Sequence, residues 1–203
     1  MFKDKEVETK VKYKLDIFDD TELSEDDLNK VTEILISNKN LRGEVINTDL
    51  SELVKLKKLQ SLDLKGFELS EEVLRVIHGL PELVALSLYD CQAKESVAIN
   101  IERLKSLILD HCQTMNFSEI HFPETLLIVD GGVVDVSKFQ HHQHLKDLGI
   151  KSSEIIHANS LEEITSLKNL NVDGSTLDDD NIVNKLRAKK VVVSNEFEYH
   201  PLK

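Results

Sequence analysis

Hydrophobic and polar positions alternate along this chain in short blocks that return about every twenty residues. The clearest block is Leu83-Val84-Ala85-Leu86-Ser87-Leu88-Tyr89-Asp90-Cys91, with leucine at the first, fourth and sixth places and cysteine at the ninth. Leu104, Leu107, Leu109 and Cys112 repeat the spacing after it, and Leu59, Leu62, Leu64 and Phe67 precede it. Within a block the period is two, which predicts a strand with one face buried. A near-constant interval between blocks predicts a repeat array, in which each unit buries its apolar face against its neighbours. Fourth-place residues Ile34, Leu62, Leu86, Leu107, Leu126, Leu148, Leu170 and Val191 lie 28, 24, 21, 19, 22, 22 and 21 residues apart, which predicts eight turns over residues 31–195.

The segments between blocks differ. Ser70 to His78 has apolar residues at helical spacing, a serine to cap it and Gly79 to stop it, so a helix on the outer side is expected. Asp178 to Leu186 reads as another, with Ile182, Val183 and Leu186 inward and the three aspartates 178–180 at its start. The return between Cys112 and Pro123 has little room for one. At the N-terminus Val11, Tyr13, Leu15 and Ile17 alternate with Lys12, Lys14 and Asp16, which reads as a half-buried strand. Ser24 then caps a short helix whose first turn holds Glu25, Asp26 and Asp27. Residues 1–30 are therefore read as an N-terminal cap and 196–203 as a C-terminal tail, in which Phe197 and Tyr199 either fold back or leave a last strand open for chains to pair.

The block spacing resembles the leucine-rich repeat, in the form found in plant proteins and in internalin-like bacterial surface proteins, here with two cysteine-containing repeats. The resemblance implies an α/β solenoid: a curved horseshoe with about eight parallel strands on the concave face and mixed helices and turns on the convex one. It also implies binding through the curved face. Leu41 takes the family's turn-in place, but Lys39 stands where a buried asparagine is usual. Pro123 and Gly131 occupy the first-leucine and ninth places of the fifth turn, whose register is left open by one residue. Cys91 and Cys112 share the ninth place of successive turns. The resemblance makes them buried ladder residues standing in for asparagine; the other reading is a redox pair or metal site.

Charge and composition narrow the function classes. Asp and Glu number 37 against 25 Lys and Arg, a formal net charge of −12, which repels nucleic acid and favours a protein or peptide with a basic surface. With aromatics at 5% and no tryptophan, the core must be aliphatic. No apolar run is long enough for membrane insertion. The opening Met1-Phe2-Lys3-Asp4-Lys5-Glu6 has neither an apolar run nor a small-residue cleavage site, so a cytoplasmic protein is expected; a trimmed secreted or surface protein would read the same.

Candidate chemistry is sparse. There is no phosphate loop, nucleophile elbow or zinc-protease motif, so no catalytic residue, cofactor or metal is assigned and a non-enzymatic protein is expected. His141, His142 and His144 cluster in a return segment without a cysteine or carboxylate at ligand spacing, and read as a solvated loop. Asn169 to Gly174 resembles the start of a calcium loop, but it lacks the first-position aspartate and twelfth-position glutamate, and Leu170 and Val172 are needed in the core. What remains is the outward column of the strands. In its central turns Tyr89, Ile108, Leu127 and Val129 are expected to form an apolar patch rimmed by Asp90, Asp110, His111 and Asp130. The leading expectation is a module that binds a protein or peptide there. The alternatives are a self-assembling structural repeat and a regulator of an enzyme held in the arc.

Overall fold

The computed structural model describes residues 2–40, 42–94, 99–112, 123–140 and 142–194. Leu41, His141, the return from residue 113 to 122, and Phe197 and Tyr199 lie outside them. The first strands are β1 (Glu33–Ser37), β2 (Ser61–Lys65), β3 (Ala85–Tyr89), β4 (Ser106–Asp110) and β5 (Thr125–Val129). They are followed by β6 (Val133–Asp135), β7 (Asp147–Lys151), β8 (Glu154–Ile156), β9 (Asn169–Asn171), β10 (Thr176–Leu177) and β11 (Val192–Ser194). One parallel eight-stranded sheet runs in the order β1-β2-β3-β4-β5-β7-β9-β11, one strand from each turn. A smaller three-stranded parallel sheet, β10-β8-β6, follows it in the last turns. The convex side mixes short 3₁₀ turns at Ser51–Lys55, Val136–Phe139 and Ala158–Glu163 with α-helices.

Strand pairing sets Ile34, Leu62, Leu86, Leu107, Leu126, Leu148 and Leu170 side by side as the spacing required. Leu107 opposite Leu126 closes the register left open in the fifth turn. The inward residues from Leu62 to Leu170 in this row are at most 2% exposed. At the last turn the register differs: Val193, not Val191, pairs with Leu170. Three consecutive valines offer spacing no way to choose between them, and Val191 is used instead to close the preceding helix, its N–H donating to the Leu186 carbonyl at 3.0 Å. A slip of two leaves the faces unchanged, so Val192 remains outward and is 63% exposed.

The N-terminal strand is corrected to a helix, α1 (Lys5–Lys14). The alternation of Val11 to Ile17 hid a four-residue spacing, Val7, Val11 and Leu15, that forms a helical stripe against the first turn; Val7 and Val11 are fully buried while Tyr13 is 71% exposed. Asp4 caps the helix, accepting from the Glu6 and Val7 amides at 2.8 and 3.1 Å. The Glu6–Lys10 and Glu8–Lys12 pairs support its outer face. The short helix α2 (Glu25–Leu28) is capped by Ser24, with Asp27 completing the box. Further on, α3 (Glu71–His78) has Ser70 as cap, and α4 (Asn181–Ala188) buries Ile182 and Leu186, with Val183 half-buried.

Ninth-place residues bind successive turns together. The Cys91 thiol donates to the Leu64 carbonyl at 3.6 Å and the Cys112 thiol to the Leu88 carbonyl at 3.3 Å. Serine continues the ladder, with the Gly131 N–H donating to Ser153 Oγ at 3.0 Å and the Ser153 N–H to Ser175 Oγ at 3.1 Å. Lys39 takes no part in this ladder; its stem runs under Gly66, 3.3 Å from where a Cβ would sit. Gly131 is there for space: an added Cβ would lie 2.6 Å from Ile128 Cγ2 and 3.1 Å from Val134 Cγ2. Gly131→Ala is therefore expected to destabilise the fold by about 1–3 kcal/mol through overpacking, read as a lower urea midpoint.

Candidate functional site

The residue that follows each central strand adopts a left-handed conformation, and this places the acidic rim. Gly66, Asp90, His111, Asp130 and Ser152, directly after β2, β3, β4, β5 and β7, have φ of 73°, 52°, 55°, 48° and 49°, and Gly174, three residues past β9, has 65°. Asp and His tolerate this region better than most residues, and it is where the chain leaves the concave sheet. The N–H groups at Gly66, Asp90, His111 and Asp130 donate to the next strand's last carbonyl at 2.8–3.0 Å, and that of Ser152 donates to the Asp173 carbonyl just beyond β9 at 3.0 Å, which stacks the column. Asp90, His111 and Asp130 thus form an edge row along the C-terminal ends of β3, β4 and β5.

On the open face, Ile108 lies directly beside Leu127, with Ser87 and Gly149 as their outer neighbours. Tyr89 and Val129 belong to the next row, and Asp110 stands between them. Tyr89, Ile108, Asp110, Leu127 and Val129 are all half-buried. The structure therefore brings the four apolar residues together as a zigzag across three strands. It also moves Asp110 from the rim into the patch itself, because strand register makes it the cross-strand neighbour of both Tyr89 and Val129.

Electrostatics tie Asp110 to the rim. His111 Nδ1 is 2.5 Å from Asp110 Oδ1 and its Nε2 is 3.3 Å from Asp130 Oδ2. The Asp110 hydrogen bond, reinforced by the charges of Asp110, Asp130 and Asp90, raises the His111 pKa above its ordinary 6.5. The three ligand atoms lie within 4.8 Å of one another, a spacing that a cation could also span. With each ring nitrogen facing a carboxylate, the imidazole when protonated supplies the positive charge that such a cation would. The His111 ring is expected to titrate above 6.5 in an NMR pH series, and Asp110→Asn to return it towards that value. Its folded-state stabilisation is complete below the unfolded pKa and is lost as pH rises through the folded one.

Elsewhere the other candidates keep structural roles. The hydrogen bond with Cys91, together with burial, pushes the Cys112 thiol far up, so it is a poor nucleophile. His142 and His144 sit on a loop before β7, half-buried and exposed respectively. Asp178 accepts from the His157 and Ala158 amides at 2.6 and 2.9 Å, capping a turn of the previous repeat. Among the described residues no helix is long and apolar enough to cross a membrane. Sequence reasoning missed Asp63 and Tyr13, which meet at a cavity near the N-terminal end of the sheet. The raw signal was there: Asp63 is a carboxylate at the central outward place of its strand.

Parallel strands, one per turn, with leucines inward and varied convex returns define a leucine-rich-repeat solenoid. No family model matches the sequence, and no curated protein does. Solved structures do. A Listeria monocytogenes internalin, InlF, superposes with a TM-score of 0.65 at 15% identity, over 95% of this chain and 55% of that one. Internalin C2 from the same organism gives 0.66 at 16% identity, over 95% of this chain and 83% of that one. The chain thus spans little more than half the length of InlF, and at these identities the likeness is one of fold.

Proposed function

We propose that the protein is a binding module that docks a protein or peptide on its concave face, around Ile108 and Leu127. The observation that carries this is the zigzag of half-buried Tyr89, Ile108, Leu127 and Val129 on the outward face of β3, β4 and β5, flanked by Asp90, Asp110 and Asp130. Apolar centres with polar rims are the usual build of an interface, and the excess of acid suits a basic partner surface. The fold shared with internalins supports the reading, since a curved parallel sheet presents many side chains to one ligand. The test is capture from source-cell lysate by wild type and by Tyr89→Ala/Leu127→Asp, both verified folded by circular dichroism. A protein lost from the variant alone supports the site; equal capture refutes it.

A second reading is self-association through the last strand. Among the described residues β11 pairs only with β9, and its Val192 is 63% exposed. An edge of this kind can template pairing. Sedimentation equilibrium decides it: a dimer abolished by Val192→Lys favours this reading, and a monomer across the concentration range removes it.

A further inference from the structure

At the N-terminal end of the concave sheet, α1, β1 and β2 line an open cavity of about 380 Å³. Its walls include Tyr13 and Lys14 from the helix and Glu33, Leu35, Ser61 and Asp63 from the strands. Leu35 is 48% exposed and Tyr13 71%, so the cavity opens through an apolar lip. The charges at its edge are paired unevenly. Lys14 is bonded to Glu33, Lys10 pairs with Glu6 at 3.5 Å, and Lys65 faces Asp90 at 3.8 Å. Asp63 accepts a hydrogen bond from Ser87 but has no cationic partner among the described residues, and Glu33 nearby adds a like charge. Burial, and then Glu33, hold its carboxyl above the ordinary range. An anion withdrawn from water without a counter-charge is costly to the free protein. A cation delivered to it in a shielded site gains correspondingly.

We propose that this cavity receives an arginine or lysine side chain of the protein partner, with Asp63 binding the cationic head and Tyr13 and Leu35 covering its aliphatic stem. A long basic side chain fits that division, since its stem is apolar and its head charged. Asp63 and Ile108 occupy the same outward place on β2 and β4. Two strand spacings separate them, about 10 Å. A partner segment in the polyproline II conformation advances about 3.1 Å per residue with three residues per turn, so a basic residue three positions from an apolar one presents both side chains to the sheet at about this distance. This specificity rests on the concave face being the docking face, as proposed above.

The probe is N-acetyl-arginine methylamide, titrated into ¹⁵N-labelled full-length protein beside its neutral isostere N-acetyl-citrulline methylamide. The expected result is saturable shifts at the Leu35, Ser61 and Asp63 amides with arginine. Binding should be roughly tenfold weaker for citrulline and for Asp63→Asn. Asp63→Asn keeps an acceptor for Ser87 and removes a half-buried charge, so its spectrum should remain that of the folded protein. Equal shifts from citrulline, unchanged binding by Asp63→Asn, or arginine shifts spread evenly over Asp110 and Asp173 would overturn the proposal. The probe does not touch the apolar patch, so Tyr89→Ala/Leu127→Asp should bind it as wild type does, and the two proposals fail separately.

Discussion

Replacing Leu107 by alanine will lower the unfolding free energy by about 2–5 kcal/mol, the range for truncating a buried leucine. Leu107 is fully buried at the centre of β4 and pairs with Leu86 on one side and Leu126 on the other. Three carbons, Cγ and its two methyl groups, would be lost from a core stacked turn on turn, and neighbouring leucines are held by their own strands and cannot close the gap. For a chain of this size each kcal/mol moves the melting temperature by about 2–4 °C. The effect is enlarged by position, since a central repeat supports the turns on both sides while an end repeat supports one. Ile108→Ala supplies the contrast. One residue along, Ile108 faces outward and is only half-buried, so the same truncation should cost markedly less. Urea melts followed by far-ultraviolet circular dichroism read both; a Leu107 variant as stable as wild type would show that this side chain does not face the core.

The Tyr89→Ala/Leu127→Asp variant should bind its partner at least about a hundredfold more weakly while melting near the wild-type temperature. Aromatic and apolar anchors at the centre of an interface commonly cost 2 kcal/mol or more when removed, and each 1.4 kcal/mol is about tenfold in affinity. The aspartate adds a second penalty, because it sits one strand from Ile108 and near Asp110 and Asp130, where a docked partner excludes water. The two effects are not expected to be strictly additive, as the residues share one patch. Stability should be spared because Leu127 points away from the core while its neighbours Leu126 and Ile128 are almost fully buried. Surface plasmon resonance with the captured partner measures the loss. Retention of affinity within about threefold, well under 1 kcal/mol, would exclude the patch as the centre of the interface.

The leucine spacing was sufficient to place seven of the eight strands in register, including the fifth turn, where Pro123 and Gly131 blur the motif. Leu126 and Ile128 still supplied a two-residue period there, and that is the part of the motif a strand needs. The ends were harder to read. At Val11 to Ile17 two periodicities coexist in one short segment, and the helix prevailed because Val7, Val11 and an Asp4 cap act together. At Val191 to Val193 the local pattern is degenerate, and the closing turn of α4 decided the alignment. The left-handed column was legible in part, since Gly, Asp, His and Ser recur just before the ninth place, residue types that favour or tolerate positive φ or turns.

Which side chains face inward, which outward, and that the chain stacks as a solenoid were determined by the sequence alone, because a strand's two-residue alternation and the repeat interval are properties of contiguous residues. What the tertiary structure decided is how the two ends of the array are closed: α1 packs on the first turn, and the end of α4 shifts the last strand by two residues. The cavity around Asp63 depends still more on assembly, since α1 comes from a segment some fifty residues earlier and must dock before Tyr13 and Asp63 share a space. Burial of that carboxylate is a product of packing between distant segments, and no local pattern encodes it.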